Sequence, residues 1–167
     1  MSLAPVWRLN LLLVALCVAA DQVIKALVVA NMALGSAIEL VPFLALLHAR
    51  NEGIAFSLFS GFDDLALAGL AILVLGFVSW LWAQTAPERR LSHVAFAIIV
   101  GGAIGNLVDR VRLGYVVDYV YFHTPVWSFA VFNLADALIS VGAGLIILDE
   151  FVLARRRAET KIEPSRD

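Results

Sequence analysis

Four long apolar stretches, each closed off by a cluster of polar or charged residues, set the pattern of this chain. They cover about residues 7–30, 64–83, 91–107 and 133–153. A helix crosses a bilayer with roughly 20 mostly apolar residues, so each stretch predicts a membrane span. The two longer connections, about 31–63 and 111–132, are partly apolar and unlike short solvated turns. Within the first, Ile38-Glu39-Leu40-Val41 and Leu44-Ala45-Leu46-Leu47-His48-Ala49 fit either a strand or an interfacial helix, and period alone does not separate the two.

Composition agrees with a chain built for lipid. Of 167 residues 62% are hydrophobic and only 16% charged, with a mean hydropathy of +0.90. One integral membrane domain over 1–154 is expected, followed by a charged tail, 155–167, that contains Pro164 and is expected to be disordered. The first span resembles a cleavable signal peptide around Val18-Ala19-Ala20, and Val14-Ala15-Leu16-Cys17 resembles a lipoprotein cleavage box. Leu16 fills the place of a small residue there, and apolar sequence resumes after Asp21, so the span is expected to stay as an anchor.

Charge placement orients the spans. With both termini inside, Arg8, Arg89, Arg90, Arg155, Arg156, Arg157, Lys161 and Arg166 are cytoplasmic, against Arg50, Arg110 and Arg112 outside. The net charge of −2 and the lack of a basic, aromatic-interleaved stretch give no sign of nucleic acid as a partner. The single Cys17 allows no disulfide within the chain and reads as a small packing residue. His48, His93 and His123 are scattered over different segments with no zinc spacing, and no serine–lysine pair or phosphate-cradling loop is present.

The acids carry the candidate chemistry. Asp118 and Asp136 bracket the last connection, and a lone carboxylate entering hydrocarbon costs at least about 2.5–3.5 kcal/mol. Two such groups at a membrane boundary can share one proton and activate water, titrating as a unit. Each also has a plainer reading: Asp136, three residues after Asn133, has the spacing of a helix cap, and Asp118 suits an ordinary loop. Capping and function are compatible, since free helix N–H groups favour an anionic Asp136.

Asn106, Asp109 and Arg110 share a helix face, with Gly101 and Gly105 at the spacing that lets helices approach closely. Arg110 reads equally as a helix C-terminal charge paired with Asp109 or with lipid headgroups. Asp21 and Lys25 read as a surface i,i+4 pair, and Asn51 with Gly53 as a turn, although Asn51 could also reach a bound peptide. A proton-coupled transporter would place acids at several depths, whereas these gather at one face; a non-catalytic scaffold would tolerate loss of both acids.

Taken in order, Asp21-Gln22 and Lys25, Asn51-x-Gly53-x-Ala55-Phe56-Ser57, Gly105-Asn106-x-x-Asp109-Arg110, Val117-Asp118 and Phe132-Asn133-Leu134-Ala135-Asp136 resemble lipoprotein signal peptidase, also called signal peptidase II, over essentially the whole chain. The resemblance implies an all-α membrane protein of four transmembrane helices, with a small periplasmic β-cradle and a periplasmic helix formed by about 37–60. It also implies an aspartic endopeptidase of the bacterial inner membrane, with its site at the periplasmic face and no cofactor or metal. The substrates would be diacylglyceryl-modified prolipoproteins, cut on the amino side of the lipidated cysteine by a monomer working among membrane lipids. Asp118 and Asp136 correspond to the catalytic pair. Asn51, Gly53, Asn106, Arg110, Asn133 and Ala135 correspond to the surrounding shell, with Arg110 placed to meet substrate carbonyls, and Asp21 and Asp109 to supporting acids. Ile24, where a small hydroxyl residue is commoner, and Glu52 depart from the pattern.

Overall fold

The computed structural model describes residues 4–53 and 64–162. The expected periplasmic helix and the Ala55-Phe56-Ser57 part of the motif lie outside the described residues. Four helices and four strands follow in order: α1 (Ala4–Asn31), β1 (Ala37–Val41), β2 (Leu44–Asn51), α2 (Asp64–Ala83), α3 (Arg90–Leu113), β3 (Val116–Thr124), β4 (Trp127–Ser128) and α4 (Leu134–Ile162). Among the described residues three helices are long and apolar enough to cross a membrane, Trp7–Asn31, Arg90–Leu113 and Leu134–Ala154, while the apolar run Leu67–Ala83 of α2 is shorter.

α3 is the axis of the bundle. It packs on α1, α2 and α4, and 61% of its apolar window is buried, against 22% for α1 and 6% for α4. Its glycines make this possible. A Cβ at Gly101 would lie 2.6 Å from the Cβ of Cys17, one at Gly105 would lie 2.5 Å from Asp21 Oδ2, and one at Gly102 would lie 2.5 Å from the Ala135 carbonyl. Gly101 and Gly105 therefore admit α1, Gly102 admits α4, and Cys17 is a packing residue between α1 and α3.

Three elements differ from expectation. α3 runs on from 107 to Leu113, where Gly114 adopts φ 81° and donates its N–H to the Arg110 carbonyl, the usual left-handed stop. This carries Asn106, Asp109 and Arg110 inside the helix. α4 continues to Ile162, so the tail expected to be disordered from 155 begins as helix. The small sheet expected of the first long connection is present, but the second connection also contributes to it, giving one antiparallel sheet of order β1-β2-β3-β4.

The two ambiguous apolar segments of the first connection are β1 and β2. β3, built from Val116-Val117-Asp118-Tyr119-Val120-Tyr121-Phe122, pairs with β2 so that Ala49 faces Asp118 and Asn51 faces Val116. Val117 and Tyr119 pack with Val28 and Met32 of α1, and Ile24 joins this cluster, so a larger apolar residue fits there. The sheet thus closes the end of the bundle where α1 and α3 finish and α4 begins.

Candidate active site

Asp118 and Asp136 are brought together at the junction of sheet and bundle. Asp118 comes from β3 and is buried, while Asp136, in the first turn of α4, is half-buried. Asparagine side chains meet each carboxylate. Asn51 Nδ2 donates to Asp118 Oδ2 at 3.0 Å and Asn133 Nδ2 to Asp118 Oδ1 at 2.6 Å. Asn106 Nδ2 donates to Asp136 Oδ1 at 2.8 Å. Burial pushes the Asp118 carboxyl up to about 6 against the pull of the Asn51 hydrogen bond; the Asp136 charge adds to the rise, while the Asn133 bond and the Lys25 charge oppose it.

The capping reading of Asp136 is also realised. Its N–H donates to Asn133 Oδ1 at 3.0 Å and its Oδ2 accepts the Asn133 N–H at 3.2 Å, a reciprocal capping box. Oδ1 remains turned to Asn106, so one carboxylate serves both the helix end and the site. The other N–H groups of that turn are held from outside the helix. Leu134 donates to the Tyr119 hydroxyl at 3.0 Å and Ala135 to Asp21 Oδ1 at 3.1 Å. Residues of α1 and β3 therefore fix the position of Asp136.

Behind the pair stands a buried ionic network, which corrects the reading of Asp21 and Lys25 as a solvated surface pair. Lys25 is 2% exposed, and its Nζ reaches Asp21 Oδ2 at 2.9 Å, Asp109 Oδ2 at 2.9 Å and Asn106 Oδ1 at 2.8 Å. All three ammonium protons are used. The bond to Asn106 Oδ1 turns the amide of that residue so that its Nδ2 faces Asp136. Asp109 also accepts the Val117 N–H at 3.1 Å, next to Asp118, and Gln22 Nε2 at 2.9 Å.

Among the described residues Arg110 does not pair with Asp109, which is engaged by Lys25, and its one hydrogen bond is a long one, 3.5 Å, to the Asn106 carbonyl. Most donors of the guanidinium have no partner among the described residues. Asn51 serves both of its readings, since its Oδ1 accepts the Gly53 N–H at 3.0 Å while its Nδ2 holds Asp118. Gly53 has φ 87°, and a Cβ there would run into Leu67 of α2. The sequence reading missed Tyr119 and Gln22 as parts of the site. Gln22 lies on the α1 face of Asp21 and Lys25, and three polar groups on one face of an apolar span were the available signal. The histidines have separate partners: His48 the Met32 carbonyl, His93 the Trp82 indole and the Ala86 carbonyl, and His123 Glu39.

Comparison with known proteins meets this geometry. A family model described as signal peptidase (SPase) II matches residues 13–152. Lipoprotein signal peptidases of Brucella ovis and of Brucella melitensis biotype 1 are each 56% identical over 151 residues, covering 90% of this chain and 94% of theirs. A bacterial membrane enzyme solved by the in meso method at 2.3 Å resolution superposes with a TM-score of 0.78 at 28% identity, covering 94% of both chains. A second, at 1.9 Å resolution, gives 0.74 at 30% identity, with 83% of this chain and 90% of that one covered. With its three long apolar helices, the chain is an integral membrane protein. It belongs to the signal peptidase II family, the lipoprotein signal peptidases.

Proposed function

We propose that this peptidase removes the signal peptide from diacylglyceryl-modified prolipoproteins, cutting on the amino side of the lipidated cysteine, with Asp118 and Asp136 as an aspartic dyad. One observation carries the reading: two carboxylates from different elements are joined through Asn133, whose Nδ2 meets Asp118 and whose backbone N–H meets Asp136, and burial beside Asp136 pushes the Asp118 carboxyl up to about 6. A carboxyl in that range is protonated or ionised with little driving force either way, as acid–base catalysis near neutral pH requires.

In this mechanism Asp118 holds the shared proton and Asp136 acts as base. Asp136 takes a proton from the attacking water while Asp118 donates to the scissile carbonyl, and the leaving amine is then protonated by Asp136. Arg110, with donors to spare, and the asparagine amides hold the peptide and the developing oxyanion. The acyl chains of the substrate stay in the bilayer, each buried CH₂ contributing about 0.8 kcal/mol, and so bring the scissile bond to the boundary where the dyad sits. The enzyme works as a monomer in the inner membrane, with both termini cytoplasmic and the sheet end periplasmic, as the arginine and lysine distribution favours.

Purified protein with a lipidated prolipoprotein tests the reading. Asp118→Asn and Asp136→Asn should each abolish cleavage in membrane-inserted protein, and the double variant should be hardly worse than either, because the two act as one unit. The unlipidated precursor should be cut far more slowly. Near-normal turnover in either Asn variant would remove that residue from the dyad.

A further inference from the structure

The hydroxyl of Tyr119 has a place in the site that burial alone does not explain. The side chain is 6% exposed and its ring packs with Val28, Met32 and Val117, a position that a phenylalanine would fill as well. The hydroxyl reaches past this cluster to accept the N–H of Leu134, the first residue of α4, at 3.0 Å. Tyr119 is the next residue after Asp118, and Leu134 lies two before Asp136. Successive strand residues point to opposite faces, so Tyr119 grips the α4 terminus from one face of β3 while Asp118 sits on the other. The backbone continues the grip: the Tyr119 and Val120 N–H groups both donate to the Phe132 carbonyl, at 3.0 and 2.7 Å.

We infer that Tyr119 is a positioning residue, its hydroxyl tying the strand that carries Asp118 to the helix turn that carries Asp136 and so fixing the separation of the two carboxylates. This rests on the dyad reading above. The charged groups that act on the hydroxyl are Asp118 on its own strand, Asp21 from α1 and Asp136 from α4, and Asp21 is in turn paired with Lys25, which also holds Asp109 of α3. Burial pushes the phenol up to about 12 against the Leu134 hydrogen bond, with Asp21, Asp136 and Asp118 adding to the rise. Tyr119 therefore keeps its proton through the working range and acts by geometry, leaving the pH dependence to the carboxylates.

The bond can be removed from either side. Tyr119→Phe deletes the acceptor, and Leu134→Pro deletes the donor at the first helical position, where proline is well tolerated. With lipidated prolipoprotein as substrate, Tyr119→Phe should lower kcat about tenfold and leave KM unchanged. Carboxylates allowed to drift apart share a proton less tightly, so the alkaline limb of the kcat profile should move to lower pH. The loss should be larger at about pH 8 than at about pH 6. Leu134→Pro should show the same shift, and Tyr119→Phe should add nothing to it in that background. A lowered unfolding temperature with an unshifted pH profile would reduce Tyr119 to a helix cap and overturn the inference. So would a full Tyr119→Phe effect in the Leu134→Pro background. Activity in Asp118→Asn or Asp136→Asn controls run alongside would instead overturn the dyad reading and the inference together.

Discussion

Two ionic clusters in this molecule have the same charges and opposite surroundings. At the sheet end Lys25 holds Asp21 and Asp109; at the far end Arg89, just before α3, holds Asp149 and Glu150 of α4, through contacts of 2.9 and 2.7 Å. Each is one cation between two carboxylates. The Lys25 cluster is at most 3% exposed, whereas in the other Asp149 is 15%, Arg89 25% and Glu150 60% exposed. Lys25 is bonded onward to Asn106 and so to Asp136, and Asp109 onward to the strand of Asp118. The Arg89 cluster also takes in Ser92, whose hydroxyl donates to Asp149 at 2.5 Å, and so joins one end of α3 to α4. Full burial and bonds onward to Asp118 and Asp136 tie the Lys25 cluster to the candidate site, whereas the Arg89 cluster, open to solvent on its Glu150 side, staples two helix ends.

The largest effect should come from Lys25→Met. Removing the cation leaves Asp21 and Asp109 buried without a partner, a loss of about 3–5 kcal/mol for a broken buried pair. Asn106 also loses the contact that turns its amide toward Asp136. Cleavage should vanish and the unfolding temperature in detergent should drop sharply. A Lys25→Met protein that unfolds like the wild type would make the two clusters equivalent and end the comparison.

Next in size is the pH dependence of stability set by Asp118. Its folded pKa of about 6 lies above the ordinary carboxylate value of 3.8, so the native state holds this proton more tightly than the unfolded chain. The advantage is complete below about pH 4 and is lost as pH rises through about 6, leaving a liability of about 3 kcal/mol at neutral pH. Asp118→Asn carries no such liability. Measured against wild type, the variant should therefore gain stability as pH rises from about 4 to about 6 and level off above. A flat or falling difference would show that burial does not strain this carboxylate.

Local spacing made part of this site legible in the sequence. Asn133 and Asp136 form the reciprocal cap that three-residue spacing suggests, and Gly101 and Gly105 let α1 approach α3 as their four-residue spacing suggests. Contacts from far along the chain were not legible. Taken alone, Asp118 also fitted a loop, because the partner of its strand, β2, lies in the other connection. Lys25 was seen beside Asp21, one turn away, but its other partner is on α3, so a network read as a surface pair. Pairing with Asp109 was one of the readings open to Arg110, yet Asp109 turns to the buried ammonium instead. The resemblance to a family supplied which acids to watch, and the fold supplied what holds them.

The smallest effect should come from Arg89→Gln. The guanidinium donates through Nε and Nη2 to Asp149 Oδ2, at 3.0 and 2.9 Å, so both bonds fall on one oxygen, and the contact to Glu150 faces solvent. The exposed Glu150 contact contributes about 0–1 kcal/mol and is screened by salt, and Ser92 still meets the partly buried Asp149 when the arginine is gone. Cleavage should stay within about twofold of wild type, and the small stability loss should shrink further at high salt. The Lys25→Met loss should be insensitive to salt, because ions do not reach a buried pair. Running both variants at low and high ionic strength separates the clusters by one criterion. An Arg89→Gln protein that loses cleavage while folded would mean that the far end reaches the dyad through the length of α4, and the division into site and staple would have to be redrawn.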